Sequence, residues 1–288
     1  MASYNPFSRR ESHDARALKV YRFLVPLTWL IVVVVGSYYS IHSPGDTKDS
    51  KNLWKQALKH ETPFSQNNTI TGIYWIFLLL SQLSYVWHLF SNDSRLVTPA
   101  ANVATHFIFN NLFLLAWILL WTRNRFVISE IILVAHLINQ YITYWRYHGS
   151  PAFVHLSAVA GPYAWTLTAL FWNGAVAVHS HNLPGRIVAN VFIWVFFFVG
   201  LSDIFFRQDY ILGYCLSWLT LSLAVQQISI KIIALQWIFA FTIFGVLFIS
   251  SLYISFTKYK GRDSLFRQVA HPESDDRERA PLLNDSAA

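Results

Sequence analysis

The chain has 288 residues, of which 54% are hydrophobic, 17% aromatic and only 13% charged. Soluble domains carry about 25% charged residues, so this composition excludes an ordinary soluble fold and, for most of the chain, intrinsic disorder. The single cysteine excludes an internal disulfide framework. The net charge of +7 would suit nucleic acid, but the basic residues stand at the ends of apolar runs, so we expect membrane lipid as the partner and no nucleic acid.

Residues 1–19 are polar and lack the apolar core and cleavage site of a secretory signal, so we expect a cytosolic tail. Eight apolar stretches follow, and each approaches or exceeds the length of about 20 residues that spans a bilayer. They are residues 20–41, 70–90, 104–121, 126–145, 152–178, 187–206, 210–228 and 232–256. The sequence therefore predicts an all-α, polytopic transmembrane helix bundle with about eight spans.

These spans suggest a membrane core of five helices over residues 20–178, three additional transmembrane helices over 179–256, and a disordered tail over 257–288. An even number of spans puts both termini on one side of the membrane. Lysine and arginine flank the first and last spans, which predicts that this side is cytosolic. The opposing observation is a group of four lysines in the first loop, on the other side of the membrane.

That first loop contains a short helical pattern over residues 50–60. Its apolar residues recur at helical spacing and its lysines lie on another face. The apolar residues are Leu53, Trp54, Ala57 and Leu58. This pattern predicts an amphipathic helix at the membrane interface, and an ordinary solvated loop helix is the alternative.

Polar residues inside the predicted spans form stripes, and in lipid such residues turn toward protein or water. In the fourth span, His136, Asn139 and Gln140 share a sector of about 100° with Ser129 and Thr143. Similar stripes contain His106, Asn110, Trp117 and Trp121 in the third span, Trp165, Thr168 and Trp172 in the fifth, and Trp75 and Gln82 in the second. Four such faces would enclose a pocket with aromatic walls and a few polar groups, which suits a flat or rigid apolar ligand.

The predicted ligand-binding residues come from these four spans. Trp75, Trp117, Trp165 and Trp172 would form the walls, and Asn110, His136, Gln140 and Asn173 would orient the ligand, with Gln82, His106, Asn139 and Thr168 nearby. The alternative is a structural or adaptor protein in which these side chains only join helices to one another and the tryptophans anchor the interface.

Catalytic motifs are absent from the sequence, which contains no G-x-S-x-G, H-E-x-x-H or glycine-rich phosphate loop. His106, His136 and His155 lack the spacing of metal ligands, so we expect neither a metal nor a cofactor. An intramembrane enzyme would have to use a histidine, Glu130 or Asp203. We expect Glu130 to pair with Arg123 or Arg125, and Asp203 with Arg207 four residues on.

Several segments resemble the TspO/translocator-protein family of tryptophan-rich sensory proteins. In GPYAWTLTALFWNGAV, residues 161–176, Pro162, Tyr163, Trp165 and Asn173 are similar to the fifth-helix pattern of that family. Trp117 and Trp121 are similar to its third helix, and Tyr74-Trp75 to its second. The chain departs from the family at Leu114, where the third helix usually has asparagine, and in lacking the Met-Gly pair of the second helix.

The resemblance covers about residues 20–178. It implies a five-helix core, a first-loop helix over the ligand pocket, and sterol or tetrapyrrole ligands. The whole chain resembles a fungal family of multi-pass membrane proteins without an assigned function.

The C-terminal tail contains an acidic dileucine pattern formed by Glu278, Leu282 and Leu283. It resembles the signals that clathrin-adaptor complexes read when they sort membrane proteins to endosomes or vacuoles. In such signals a disordered segment places two leucines in a groove of the adaptor. We therefore expect a vacuolar or endosomal membrane as the location.

Overall fold

The computed structural model describes residues 7–178, 183–230 and 235–269. Within these ranges the regular secondary structure is helical, which confirms the all-α prediction. The helices are α1 (Ala15–Ile41), α2 (Leu53–Lys59), α3 (Asn68–His88), α4 (Ser94–Trp121), α5 (Phe126–Tyr147), α6 (Ala152–Val154), α7 (Gly161–Ala177), α8 (Leu183–Phe192), α9 (Trp194–Arg207), α10 (Tyr210–Ile230) and α11 (Gln236–Val269), with a π-helical turn, His155–Ala160, between α6 and α7.

Seven helical segments of the described chain are long and apolar enough to cross a membrane. One of them combines α8 and α9 over Ile187–Arg207. A further helical stretch, formed by α6, the π turn and α7, continues without a gap from Ala152 to Ala177. The chain is therefore a polytopic helical membrane protein, with seven candidate spans where about eight were predicted.

Three predicted boundaries need correction. Helix α4 begins at Ser94 and not at residue 104, because the Asp93 carboxylate caps it by accepting a hydrogen bond from the backbone N–H of Arg95 at 2.9 Å. The sixth predicted span is interrupted at Ile193, between α8 and α9. Helix α11 continues to Val269, so residues 257–269 are helical where disorder was predicted.

Part of the predicted N-terminal tail is bound to the bundle. The backbone N–H of Arg10 donates to Asn102 Oδ1 at 2.8 Å, and Asn102 Nδ2 donates back to the Arg10 carbonyl at 3.0 Å. The Tyr147 hydroxyl donates to the carbonyl of Phe7 at 3.1 Å. The first helix then begins at Ala15, before the predicted start at residue 20.

The helices alternate in direction, so α1 begins and α11 finishes at one end of the bundle, here called the chain-terminal end. Helix α2 lies at the opposite end, the loop end. The membrane core consists of α1 to α7, in which α4 packs against α1 and α5, and α5 packs against α7. The C-terminal unit consists of α8 to α11 and contacts the core mainly through α10, which packs against α3, α7 and the π turn.

The π turn ends directly before Gly161-Pro162, the first two residues of α7. Proline has no N–H to donate to the preceding turn, so the regular hydrogen-bond pattern is broken there. A Cβ atom on Gly161 would lie 2.5 Å from the carbonyl oxygen of Leu156, so only glycine fits this turn. Its own carbonyl accepts a hydrogen bond from the Tyr74 hydroxyl at 2.8 Å, which joins α3 to α7.

Asp209 connects the core to the C-terminal unit at the chain-terminal end. Its Oδ2 accepts hydrogen bonds from the Tyr144 hydroxyl at 2.7 Å and from His155 Nε2 at 2.8 Å, and its Oδ1 accepts from the Leu212 backbone N–H at 3.1 Å. Burial alone would raise the pKa of the Asp209 carboxyl. The hydrogen bonds from His155 and Tyr144 outweigh it and hold that pKa below its usual value.

We predict that Asp209→Ala lowers the free energy of unfolding by about 2–4 kcal/mol, because the buried Tyr144 and His155 lose their acceptor. Thermal unfolding in detergent at neutral pH measures this. The stabilisation is present above the ordinary aspartate range near pH 4 and is lost as the pH falls through the depressed pKa.

The control for this prediction is Asp46→Ala, which removes an exposed ion pair with Arg123 at 2.7 Å. Such a surface pair contributes less than about 1 kcal/mol. Equal losses of stability in the two variants would contradict the structural role of Asp209.

A tryptophan-lined cavity as the candidate ligand site

A cavity of about 380 Å³ lies in the membrane core beneath α2, near the loop end. Its wall is almost entirely apolar and contains side chains from α1, α2, α3, α4 and α7. Six of the lining residues are tryptophans, namely Trp54, Trp75, Trp117, Trp121, Trp165 and Trp172. We call this space the tryptophan cavity.

The indole rings of the cavity pack against one another. The centroid of Trp75 lies 5.0 Å from that of Trp165, and Trp121 lies 5.1 Å from Trp172. Trp117 completes the cluster, at 5.7 Å from Trp121 and 6.0 Å from Trp165. Edge-on and tilted contacts of this kind are favourable for aromatic rings, so they fix the shape of the cavity wall.

Three of these indoles have unused hydrogen-bond donors. The Nε1 atoms of Trp117, Trp165 and Trp172 are buried and have no hydrogen-bond partner among the described residues. An unpaired buried donor costs free energy, so an acceptor atom that reached these groups would be stabilised. Trp121 differs, because its Nε1 donates to the carbonyl of Leu53 at 3.3 Å. The wall of the cavity therefore includes three indoles whose N–H groups no described residue satisfies.

Helix α2 covers the cavity, and we call it the lid helix. The Asn52 side chain caps it by accepting from the backbone N–H of Lys55 at 2.8 Å. The lid helix is held to the turn between α4 and α5, where Gln56 donates to the Asn124 side chain and Lys51 N–H donates to the Thr122 carbonyl at 3.2 Å.

The lid helix buries one polar residue beside its apolar ones. Leu53, Trp54 and Ala57 face the protein, Leu58 is 55% exposed, and Gln56 is fully buried. The amide of Gln56 can be buried because the side-chain oxygen of Asn124 accepts a hydrogen bond from its Nε2. An apolar pattern alone gives no sign of such a polar contact.

The predicted polar ligand residues do not line the cavity, and all of them except the half-buried Asn139 are buried. In the middle of the core, Asn110 Oδ1 accepts hydrogen bonds from His136 Nε2 at 2.7 Å and from Gln140 Nε2. Asn110 Nδ2 donates to Asn111 Oδ1 at 3.3 Å, and Asn111 in turn donates to Thr28 at 3.3 Å. This network joins α1, α4 and α5.

The other predicted polar residues also bond to protein groups. His106 Nδ1 donates to Asn139 Oδ1 at 2.8 Å, which joins α4 to α5. Gln82 donates to the Ser157 carbonyl at 3.2 Å, and Thr168 donates to the Ala164 carbonyl at 2.7 Å. Asn173 donates to Glu130 Oε2 at 2.8 Å. The predicted ligand residues thus fall into two groups, the tryptophans of the cavity and a set of polar side chains that bond to protein groups, most of them on a neighbouring helix.

The carboxylates considered for catalysis lie far apart. Glu130 stands near the start of α5 at the loop end and contacts Asn173, not Arg123 or Arg125 as expected. Asp203 lies near the end of α9, at the chain-terminal end, where it pairs with Arg207 at 3.1 Å as expected. In the ranges that the structure describes, no three histidine, cysteine or acidic residues form a group that could hold a metal ion.

Sequence reasoning missed the contribution of α1 to the cavity. Val32, Gly36, Ser37 and Ser40 line it, but α1 is apolar on nearly all sides and therefore shows no stripe. The small residues at spacings of one, three and four on α1 were the available signal, because small side chains leave room beside a helix.

We predict that Asn110→Leu lowers the free energy of unfolding by about 1–2 kcal/mol, since the donors of His136 and Gln140 lose their shared acceptor. Thermal unfolding in detergent measures it. The control, Asn92→Leu, changes an exposed loop residue and should stay within about 0.5 kcal/mol of the parent protein. If the two variants unfold alike, the network does not stabilise the core.

The chain is similar to fungal sequences of unknown function. Residues 186–283 match the model of a family described as fungal protein of unknown function (DUF1774). An uncharacterized protein of Schizosaccharomyces pombe is 25% identical over 234 residues, which cover 80% of this chain and 84% of that protein. No solved structure matches the chain. Neither match names the TspO/translocator-protein family, so that resemblance rests on the residues quoted above.

Proposed function

We propose that this multi-pass membrane protein binds, and thereby holds or moves, a rigid apolar ligand of the sterol class in the tryptophan cavity. The observation that carries the proposal is the cavity itself, in which six tryptophans surround an apolar space and three of their indole N–H groups are unpaired. A rigid ring system loses little conformational entropy on binding. Little of the favourable free energy of its contacts with the flat indole rings is therefore offset, and the affinity is correspondingly higher.

The chemistry of the wall favours a sterol over a tetrapyrrole. None of the residues that line the cavity is ionisable, and its polar side chains are the hydroxyl groups of Ser37 and Ser40. The carboxylate groups of a tetrapyrrole would find no positive charge there, and burying an unpaired charge is costly. A single hydroxyl oxygen, by contrast, is matched to an indole N–H. The volume of about 380 Å³ is at the lower end of the range for small-molecule pockets.

A purely structural role is the second candidate, and the hydrogen bonds around Asn110 favour it. These bonds account for most of the predicted polar residues without a ligand. They do not account for a space of this size with unused donors, which a protein serving only as a scaffold would be expected to fill.

We predict that the protein binds a fluorescent sterol such as dehydroergosterol, detected by energy transfer from tryptophan. Trp165→Phe keeps an aromatic ring and removes one donor, so the affinity should fall about fivefold, which corresponds to a hydrogen bond of about 1 kcal/mol. The matched control is Trp29→Phe. Trp29 also has an unpaired, buried Nε1 among the described residues, but it lies outside the cavity wall.

The result that would overturn the ligand proposal is an absence of saturable energy transfer in the folded parent protein. Equal losses of affinity in Trp165→Phe and Trp29→Phe would place the sterol outside the tryptophan cavity. Haemin serves as the comparison ligand, and tighter binding of haemin than of the sterol would contradict the assignment to the sterol class.

For the cellular location we propose a vacuolar or endosomal membrane with both termini in the cytosol. The support is the pattern of Glu278, Leu282 and Leu283, which lies outside the described residues, together with the basic residues that flank the first and last spans. An adaptor would read this signal only on the cytosolic side.

We predict that replacing Leu282 and Leu283 together by alanine moves a fluorescently tagged protein away from vacuolar and endosomal membranes, because the groove of the adaptor loses both side chains. Microscopy of tagged cells measures the distribution. Replacing Asn284 and Asp285 by alanine is the control of equal size, and an identical distribution of the two variants would refute the signal.

A further inference from the structure

The segment between the lid helix and α3, residues 60–67, is irregular and yet buried. Thr62, Phe64, Ser65 and Gln66 are at most 4% exposed. A buried segment without regular secondary structure has backbone carbonyls that neither water nor a helix satisfies, so their partners must come from elsewhere in the protein.

Those partners are side chains of the C-terminal unit. Gln227 Nε2 of α10 donates to the carbonyl of Thr62 at 2.9 Å and to that of Ser65 at 3.5 Å. Gln236 Nε2 of α11 donates to the carbonyl of Pro63 at 3.2 Å. Both glutamines are fully buried, so water does not compete for these bonds.

Two further contacts hold the same segment. Ser222 of α10 donates its hydroxyl to the carbonyl of Asn67 at 3.1 Å and accepts the Asn67 N–H at its own carbonyl, also at 3.1 Å. The ring of Phe64 packs at 5.5 Å from Phe171 of α7 and 6.3 Å from Phe196 of α9. The 60–67 segment is therefore fixed between the core and the C-terminal unit.

The lid helix ends at Lys59 and leads directly into this segment. On its other side the lid helix is held by the turn between α4 and α5, through Gln56 and Asn124. Its position over the tryptophan cavity thus depends on two sets of anchors. The first lies in the core and includes the bond from Trp121 to the Leu53 carbonyl, and the second lies in the C-terminal unit. If the contacts with the C-terminal unit were lost, the lid helix could move while its contacts with the core remained.

We propose that Gln227 and Gln236 are positioning residues for the tryptophan cavity. By holding the 60–67 segment they keep the lid helix closed, so the C-terminal unit sets how fast a ligand enters and leaves. Both glutamines lie within the residues that match the fungal family model, 186–283. The role in ligand exchange rests on the proposed function, whereas the effect on the lid helix does not.

The test uses the full chain with Cys215, its only cysteine, replaced by alanine and with a new cysteine introduced by Ala57→Cys. Ala57 lies on the buried face of the lid helix at 5% exposure, so a thiol there is protected while the lid is closed. The rate of alkylation by N-ethylmaleimide then reports opening. We expect Gln227→Met with Gln236→Met to raise that rate at least tenfold, because methionine keeps the side-chain size and removes the donors.

The matched control is Gln226→Met. Gln226 is the neighbour of Gln227 on α10 and is also buried, but in the described part of the chain it makes no hydrogen bond to residues 60–67. Its alkylation rate should equal that of the parent. If the folded double variant reacts within twofold of the Gln226→Met variant, the proposal is wrong. Gln236→Met alone, which removes a single bond, takes its place if the double variant does not fold.

A second measurement separates this inference from the proposed function. The dissociation rate of dehydroergosterol should rise in the variants that alkylate faster. Faster alkylation with an unchanged dissociation rate would overturn the role in ligand exchange. A parent protein that binds no sterol would overturn the proposed function. The alkylation rates need no ligand, so they would still decide the effect on the lid helix.

Discussion

A polar group inside a lipid bilayer has no water to bind, and this constraint governs the whole structure. It places Asn110, His136 and Gln140 together in the middle of the core, and Tyr144, His155 and Asp209 together at the junction of core and C-terminal unit. Each group satisfies donors and acceptors that come from different helices. Unpaired groups remain beside these networks. The Nε1 atoms of Trp117, Trp165 and Trp172 are buried without a hydrogen-bond partner among the described residues, and so are Trp29 Nε1 and Gln140 Oε1.

The polar network and the aromatic cavity correspond to the two interpretations that the sequence leaves open. Periodicity identified the inward side of each helix, because lipid excludes amides and imidazoles from the outer face. It could not tell which inward residues meet another helix and which face an open space. Gln140 and Trp165 are both buried, yet the first bonds to Asn110 and the second lines the cavity.

The helical passes were predictable because each needs a long apolar stretch, but their ends were not. Helix α4 extends beyond the predicted span, because its start is fixed by the cap at Asp93. Contacts between distant parts of the chain were equally hidden. The bond from Gln227 to Thr62 joins two segments that have no common pattern, and the place of α1 in the cavity wall left no stripe to detect.

The π turn has a geometric consequence for the helix that contains it. A wider turn inserts an additional residue, so the side chains before it are rotated by about 100° relative to those after it. One helix can therefore contact two different sets of neighbouring residues. Its early half presents His155 to Asp209 and the Ser157 carbonyl to Gln82, while its later half presents Trp165 and Trp172 to the cavity. A helical wheel that assumes a constant rotation per residue across Gly161 would therefore place residues of the two halves on one face, although in the folded chain they point in different directions.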